Sequence, residues 1–129
     1  MPTGPTRVAR PGGQVVLVVE DEFLIAWDLE LLLERHGWRV LGPAATVAEA
    51  LRLLDGGETP GAALLDVNLR GETVTPVAAR LRALGVPFVL ASAYDGPWLA
   101  AMGLAGAPNV SKPAGERVLL AALAKAVGR

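Results

Sequence analysis

Short apolar runs alternate along the chain with segments in which apolar residues recur at helical spacing. The runs are typical of buried strands, and they lie at 15–19, 38–41, 62–66, 86–91 and 107–111. The helical patterns lie near 22–36, 46–56, 73–84, 96–103 and 114–127. This alternation favours parallel strands that are joined by right-handed crossover helices. It predicts an α/β fold, a doubly wound five-stranded sheet with helices on both faces.

Several predicted helices have residues that suit their ends. Thr46 precedes Glu49 by three positions, which is the spacing of a capping box at the start of the second helix. Gly85 follows the third helix and is expected to end it. The fourth helix is crowded by glycine and proline, at Gly96, Pro97, Gly103 and Gly106. We expect this helix to be short or mobile, because both residue types weaken helices.

The first predicted helix has two apolar stripes. The stripe that we interpret as the core face contains Ile25, Leu29, Leu32 and Leu33. His36, the only histidine, falls on the same face at the end of the helix, and this position favours a structural role over phosphohistidine chemistry. The second stripe consists of Leu24, Trp27 and Leu31. We interpret it either as a contact with a neighbouring loop or as a surface for a partner protein.

Length and composition limit the possible architectures. With 129 residues, the chain is expected to form one domain over 15–129. Residues 1–14 are rich in Pro, Gly, Thr and Arg without periodicity, so we expect a disordered tail there. No apolar segment reaches the roughly 20 residues that a membrane helix requires. The first residues also lack the apolar core of a signal peptide.

Charge and cysteine content exclude further classes. The formal net charge is -1 and the chain has no cysteine. A chain without a basic field is a poor nucleic-acid binder, and one without thiols has no disulfide or thiolate metal site. The arginines Arg70, Arg80 and Arg82 are interpreted as a solvated face. We therefore expect a cytoplasmic protein that binds neither nucleic acid nor a membrane.

Polar residues stand directly after the predicted strands. In open parallel sheets, the carboxyl ends of the strands form the working site. The residues found there are Glu20, Asp21, Asp66, Ser92 and Lys112. Converging carboxylates repel one another, and a hard divalent cation such as Mg²⁺ relieves this repulsion while leaving room for a phosphoryl oxygen. Beside such a cation, Asp66 can act as a nucleophile toward phosphorus, with Ser92 and Lys112 donating to phosphoryl oxygens.

With these residues in this order, the chain resembles the receiver domains of two-component response regulators over about 15–127. The resemblance implies a flavodoxin-like sheet with strand order 2-1-3-4-5. It also implies that Asp66 is the phospho-acceptor. Asp21, Asp66 and the backbone carbonyl of Asn68 correspond to the magnesium ligands of the family. Glu20 is then expected to act on the metal through water.

The same resemblance covers the remaining site residues and suggests a subgroup. Ser92 stands at the family's hydroxyl position, and Lys112 stands at that of the lysine that contacts phosphate. The segment PFVLASAY at 87–94 resembles the receiver subgroup named for its Phe-Ala-Thr-Gly-Tyr sequence. In many receivers an aromatic residue shortly before the lysine reports phosphorylation, but Asn109 stands there in this chain. We therefore expect the switch to run through Tyr94 and the loop that follows it.

The resemblance implies a signalling domain rather than an enzyme, with self-catalysed phosphotransfer and dephosphorylation only. The expected phosphodonor is a histidine kinase or a histidine phosphotransfer domain. No output domain follows in the sequence, so one hypothesis is a single-domain response regulator that signals by binding an unknown downstream protein. One alternative is a phosphoryl shuttle or sink in a phosphorelay. Another is an interaction module that is never phosphorylated, and the intact set of acids, hydroxyl and lysine argues against it.

Two other α/β classes fit these residues less well. A phosphatase of the haloacid-dehalogenase type expects a second aspartate two residues after its nucleophile, where Asn68 stands. A small flavodoxin needs a loop that cradles phosphate after the first strand. The acids Glu20, Asp21 and Glu22 would repel phosphate there.

Overall fold

The computed structural model describes residues 15–92, 96–111 and 115–128. The strands are β1 (Val15–Val19), β2 (Arg39–Ala44), β3 (Ala62–Asp66), β4 (Asn68–Leu69), β5 (Glu72–Thr73), β6 (Phe88–Ser92) and β7 (Asn109–Ser111). The helices are α1 (Phe23–Arg35), α2 (Val47–Asp55), α3 (Thr75–Leu84), α4 (Gly96–Ala101) and α5 (Glu116–Ala126). The tail predicted at 1–14 lies outside the described residues.

Five of the strands form one parallel sheet in the order β2-β1-β3-β6-β7. The other two, β4 and β5, form a separate antiparallel hairpin. Because this hairpin intervenes along the chain, β6 and β7 are the fourth and fifth strands of the main sheet. The predicted α/β fold with the flavodoxin-like order 2-1-3-4-5 is confirmed.

The core lies on both faces of the sheet. Leu17 and Val19 of β1 belong to a buried cluster with residues of α2, α3 and α4. Val16 and Val18, which alternate with them, belong to a second cluster with residues of α1 and α5. A strand that is covered on both sides has no polar face, which explains the unbroken apolar run at 15–19. Within the described ranges, no helix has the length and apolar character needed to cross a bilayer.

The buried face of α1 differs from the predicted one. Ala26, Leu32 and Leu33 are buried, whereas Ile25 is 38% exposed. His36 is also exposed, and its Nδ1 lies 3.0 Å from the main-chain oxygen of Leu32. The prediction that Ile25 and His36 lie on the core face is therefore wrong, and Ala26 is the buried residue in the first turns of α1. The rest of the predicted face is confirmed, since Leu32 and Leu33 are buried and Leu29 packs against the core. The position of His36 at the end of the helix is confirmed.

Two predicted helix ends are confirmed by their hydrogen bonds. At the start of α2, the Thr46 hydroxyl accepts from the backbone N–H of Glu49 at 3.1 Å. The Glu49 carboxylate in turn accepts from the backbone N–H of Ala45 at 2.7 Å. At the end of α3, Gly85 has a φ of 73°, the left-handed conformation that glycine adopts readily.

Helix α4 spans only six residues, in agreement with its glycine and proline content. The turn that follows is joined to α3 by two side chains. The Thr75 hydroxyl donates to the main-chain oxygen of Met102 at 2.6 Å, and the Arg82 guanidinium donates to that of Gly103 at 3.1 Å. The end of α4 is therefore positioned by contacts with α3 as well as by burial of Leu99.

Strand β2 is longer at its carboxyl end than the predicted 38–41 and contains an irregularity at Gly42. Gly42 has a φ of 99° and is followed by a cis peptide bond to Pro43. The register with β1 shifts at this point, and β2 is an edge strand, where proline is tolerated. Beyond the irregularity, the main-chain oxygen of Ala44 accepts from the Glu20 N–H at 2.9 Å. The extension of β2 therefore helps to position Glu20.

The hairpin of β4 and β5 is a second feature that the sequence pattern does not predict. Its two-residue connection, Arg70–Gly71, has positive φ at both positions, 56° and 87°. This is the conformation of a type I′ turn. The Asn68 side-chain oxygen accepts from the Gly71 N–H at 2.9 Å, and Leu69 is buried. The segment directly after Asp66 is thus an ordered turn.

We predict that Gly42→Ala destabilises the protein more than Gly57→Ala. Both glycines have nearly the same positive φ, 99° and 97°, so both substitutions incur a backbone cost of about 1–2 kcal/mol. A Cβ on Gly42 would also lie 2.7 Å from the Ala44 nitrogen, whereas one on Gly57 meets nothing within 4 Å. We expect a further loss of about 1–2 kcal/mol for Gly42→Ala in urea denaturation. Equal losses for the two variants would contradict this account of β2.

Candidate functional site

An acidic cluster lies at the carboxyl edge of the sheet. Glu20 and Asp21 follow the last residue of β1, and Asp66 is the last residue of β3. The two strands are parallel neighbours in which Val19 is opposite Leu65, so their ends coincide. Carboxylate oxygens of the three acids lie within 4.8 Å of one another. The structure therefore brings together the three acids that the sequence analysis selected.

Burial raises the electrostatic cost of holding the three carboxylates of this cluster close together. Glu20 is only 3% exposed, and the side chain of Asp21 is 15% exposed. The Glu20 carboxylate accepts from the backbone N–H of Glu22 at 3.2 Å, which fixes its orientation. Three carboxylates at this separation repel one another strongly where water is largely excluded. A set of converging carboxylate oxygens is the donor set that a hard divalent cation prefers, so these residues fit a magnesium ion.

Asn68 lies two residues beyond Asp66, at the start of the hairpin. Its side-chain oxygen is bonded to Gly71 within the turn, which leaves the main-chain carbonyl as the group to be considered as a ligand. The predicted contact of that carbonyl with a metal stays a prediction.

Ser92 ends β6, the strand next to β3. Asp66 is paired with Ala91, so Ser92 lies one position further along the same edge. It is 2% exposed, and its backbone is paired with Ser111 in β7. A buried hydroxyl at this place agrees with the sequence-based expectation that Ser92 lies beside Asp66.

Two other predicted residues lie outside the described part of the chain. Tyr94, the expected switch residue, falls in 93–95, and Lys112, the expected phosphate-contacting residue, falls in 112–114. Lys112 directly follows Ser111, the last residue of β7. The roles of Tyr94 and Lys112 stay predictions.

A cavity of about 520 Å³ adjoins the acidic cluster. Glu20 and Asp21 form part of its wall, and the aromatic side chains Phe23 and Trp27 of α1 form another part. Phe23 and Trp27 have ring centroids 6.1 Å apart and are 76% and 51% exposed. The cluster is thus reached from solvent past an aromatic surface on α1.

Proteins similar to this chain in sequence and fold include response regulators. No protein-family model matches the sequence. The chain is 37% identical over 81 residues to the phyllosphere-induced regulator PhyR of Methylorubrum extorquens, a match that covers 61% of this chain and 30% of that protein. The solution structure of the PhyR response regulator REC domain of Erythrobacter litoralis has a TM-score of 0.78 and 28% identity, covering 90% of this chain and 91% of the other. In sequence and fold the chain is similar to response regulator receiver domains.

A second similar structure contains a phosphorylated aspartic acid and a metal ion. A response regulator protein from Burkholderia pseudomallei, solved with a phosphorylated aspartic acid, a calcium ion and citrate, has a TM-score of 0.73 and 29% identity. The match covers 85% of the present chain and 66% of that chain. The present chain spans less than a third of the length of the curated relative from Methylorubrum, at 30%.

Arg70 contacts the acidic cluster, although the sequence pattern predicts it only as part of a solvated face. Arg70 is 73% exposed, in agreement with a solvated face, and its Nη2 also donates to the main-chain oxygen of Asp21 at 3.4 Å. Its Nε lies 3.8 Å from the Asp21 carboxylate. The contact joins residues 49 positions apart, so no local pattern could have indicated it. Arg80 does form a surface ion pair, with Asp55.

We predict that Glu20→Gln stabilises the protein in buffer without divalent cations. The amide keeps an oxygen that can accept from the Glu22 N–H, while one of three repelling charges is removed. We expect the free energy of unfolding to rise by roughly 0.5–1.5 kcal/mol, measured by urea denaturation in the presence of a chelator. Glu34→Gln, on the exposed side of α1, is the matched control and should change little. A loss of stability in Glu20→Gln would argue against repulsion within the cluster.

Proposed function

We propose that this receiver domain accepts a phosphoryl group on the carboxylate of Asp66 and passes the signal on through contact with another protein. The proposed donor is a phosphohistidine of a histidine kinase or phosphotransfer domain, and the proposed location is the cytoplasm. The observation that carries this proposal is the placement of Asp66 at the end of the central strand β3, against two other acids and beside the buried Ser92.

The proposed chemistry is a phosphoryl transfer. A carboxylate oxygen of Asp66 attacks phosphorus, the phosphorus–nitrogen bond of the donor imidazole breaks, and an acyl phosphate forms. The electron pair of the broken bond stays on the imidazole nitrogen. We propose that the Ser92 hydroxyl donates a hydrogen bond to a phosphoryl oxygen and that the ammonium of Lys112 is a second donor.

We propose that Asp21, Asp66 and the backbone carbonyl of Asn68 hold a magnesium ion, with Glu20 contributing through water. Such an ion, when bound, offsets the charge of the carboxylates and of the incoming phosphoryl oxygens. The carboxylate oxygens that lie within 4.8 Å of one another support this assignment. The calcium ion in the similar Burkholderia structure, which also holds a phosphorylated aspartic acid, is in line with it.

The exposed surface of α1 supports a protein partner as the donor. Four large apolar side chains of this helix are at least 43% exposed, namely Phe23, Leu24, Trp27 and Leu31. Two of them, Phe23 and Trp27, line the cavity that leads to Asp21. A contiguous apolar surface on a protein of this size is often an interaction site. A partner that covers this surface would have its phosphohistidine close to the acidic cluster.

We predict that Asp66→Asn abolishes phosphorylation by acetyl phosphate in the presence of Mg²⁺. The amide nitrogen and oxygen lack the nucleophilic charge of the carboxylate, so labelling should fall to the background seen without phosphodonor. Phosphoprotein is measured by separation on a phosphate-binding gel. Asp28→Asn, an exposed position of α1, removes the same charge away from the cluster and should be labelled like the wild type. Undiminished labelling of Asp66→Asn would disprove the proposed acceptor.

A further inference from the structure

Arg70 has an unusual backbone position for its residue type. It occupies the first central position of the β4–β5 turn with a φ of 56°, and among the described residues it is the only non-glycine residue with positive φ. The turn is fixed by the hydrogen bond between Asn68 and Gly71. Asparagine, aspartate or glycine is favoured at such a position, because these residues adopt positive φ at least cost.

Stability does not account for an arginine at this position. Its side chain is 73% exposed, and the ion pair with Asp21 is long, at 3.8 Å. Exposed ion pairs of this kind add little to the stability of a fold. The distinctive property of Arg70 is its location, since the turn that follows Asp66 holds a permanent positive charge against Asp21, one of the three clustered acids.

We propose that Arg70 is an internal counter-ion that competes with the divalent cation for Asp21 and thereby lowers the affinity of the acidic cluster for that cation. This inference rests on the metal site of the proposed function. The Arg70 guanidinium and a metal ion are both attracted to the Asp21 carboxylate. Binding of the ion therefore breaks or weakens the contact between Arg70 and Asp21. Breaking that contact costs free energy, and the guanidinium and the metal ion also repel each other. Both effects make metal binding less favourable.

The surroundings give Arg70 room to move. Its side chain lines the cavity of about 520 Å³ together with Phe23 and Trp27. The exposed guanidinium can therefore leave Asp21 for solvent or for the aromatic surface of α1 without unfolding the hairpin. Because binding equilibria are reciprocal, occupation of the cluster by a cation should release Arg70.

The test is a calorimetric titration of the full chain with Mg²⁺. Arg70→Asn creates an Asn-Gly turn, which favours the same hairpin, so the variant is expected to remain folded. We expect its affinity for Mg²⁺ to be roughly three- to tenfold higher than that of the wild type at low ionic strength. The gain should shrink in high salt, because the exposed guanidinium is screened. Arg70→Lys, which keeps the charge, should stay near the wild type.

Two further variants separate competition from other effects. Arg70→Gly also suits the turn but offers no side-chain oxygen that could bind the metal. If the affinity for Mg²⁺ rises in Arg70→Asn but not in Arg70→Gly, the asparagine acts as a new ligand and the inference is overturned. Arg52→Gln removes the same charge from the last turn of α2. Because α2 begins after the carboxyl end of β2 and runs back along the sheet, this turn lies at the end of the sheet away from the acidic cluster. An equal gain in Arg52→Gln would overturn competition at Asp21.

The outcomes distinguish this inference from the function on which it rests. If the wild type binds Mg²⁺ and Arg70→Asn binds it equally well, the role of Arg70 is overturned and the metal site stands. If the wild type binds no Mg²⁺, the metal site itself is overturned and the inference falls with it. A higher affinity in both Arg70→Asn and Arg70→Gly, with an unchanged Arg52→Gln, supports the inference.

Discussion

The parallel pairing of β1 with β3 is the constraint on which the site depends. Both strands are buried on both faces, so their register is fixed by packing, and Val19 lies opposite Leu65. A shift of one residue would exchange the side chains that face the two helix layers and would disrupt both buried clusters. The same register places Asp66 beside the acids that follow β1. The energy that fixes the core therefore also holds three mutually repelling carboxylates together.

Neighbouring elements adjust this arrangement. The irregular end of β2 brings the carbonyl of Ala44 to the N–H of Glu20, and Gly42 makes the required bend possible. The β4–β5 turn carries Arg70 back to Asp21. One acid is thus oriented by backbone hydrogen bonds, and another is partly neutralised by an exposed cation.

The sequence predicts the parts of the molecule that depend on local patterns. Apolar runs ending in Asp66 and in Glu20 and Asp21 reveal both the strands and the acidic cluster, because the carboxyl ends of parallel strands meet. Thr46, with its glutamate partner, marks the start of α2 through a contact between near neighbours in sequence. The contact of Arg70 with Asp21 could not be predicted in this way, because it joins distant residues through a turn of unfavoured composition.

The remaining errors have similar causes. The extension of β2 passes through glycine and proline, which normally indicate the end of a strand, and it persists because an edge strand tolerates them. The predicted core face of α1 is wrong only at Ile25 and His36, because helical spacing alone does not show where a helix leaves the core at its two ends. The roles of Lys112 and Tyr94 stay predictions.

The central claim is that the carboxylate of Asp66 receives the phosphoryl group, and mapping the modified residue tests it most directly. After incubation with acetyl phosphate and Mg²⁺, borohydride reduction converts an aspartyl phosphate to homoserine, which peptide mass spectrometry can locate. The account predicts homoserine at position 66. Homoserine at Asp21 or at another aspartate, with Asp66 intact, would contradict it.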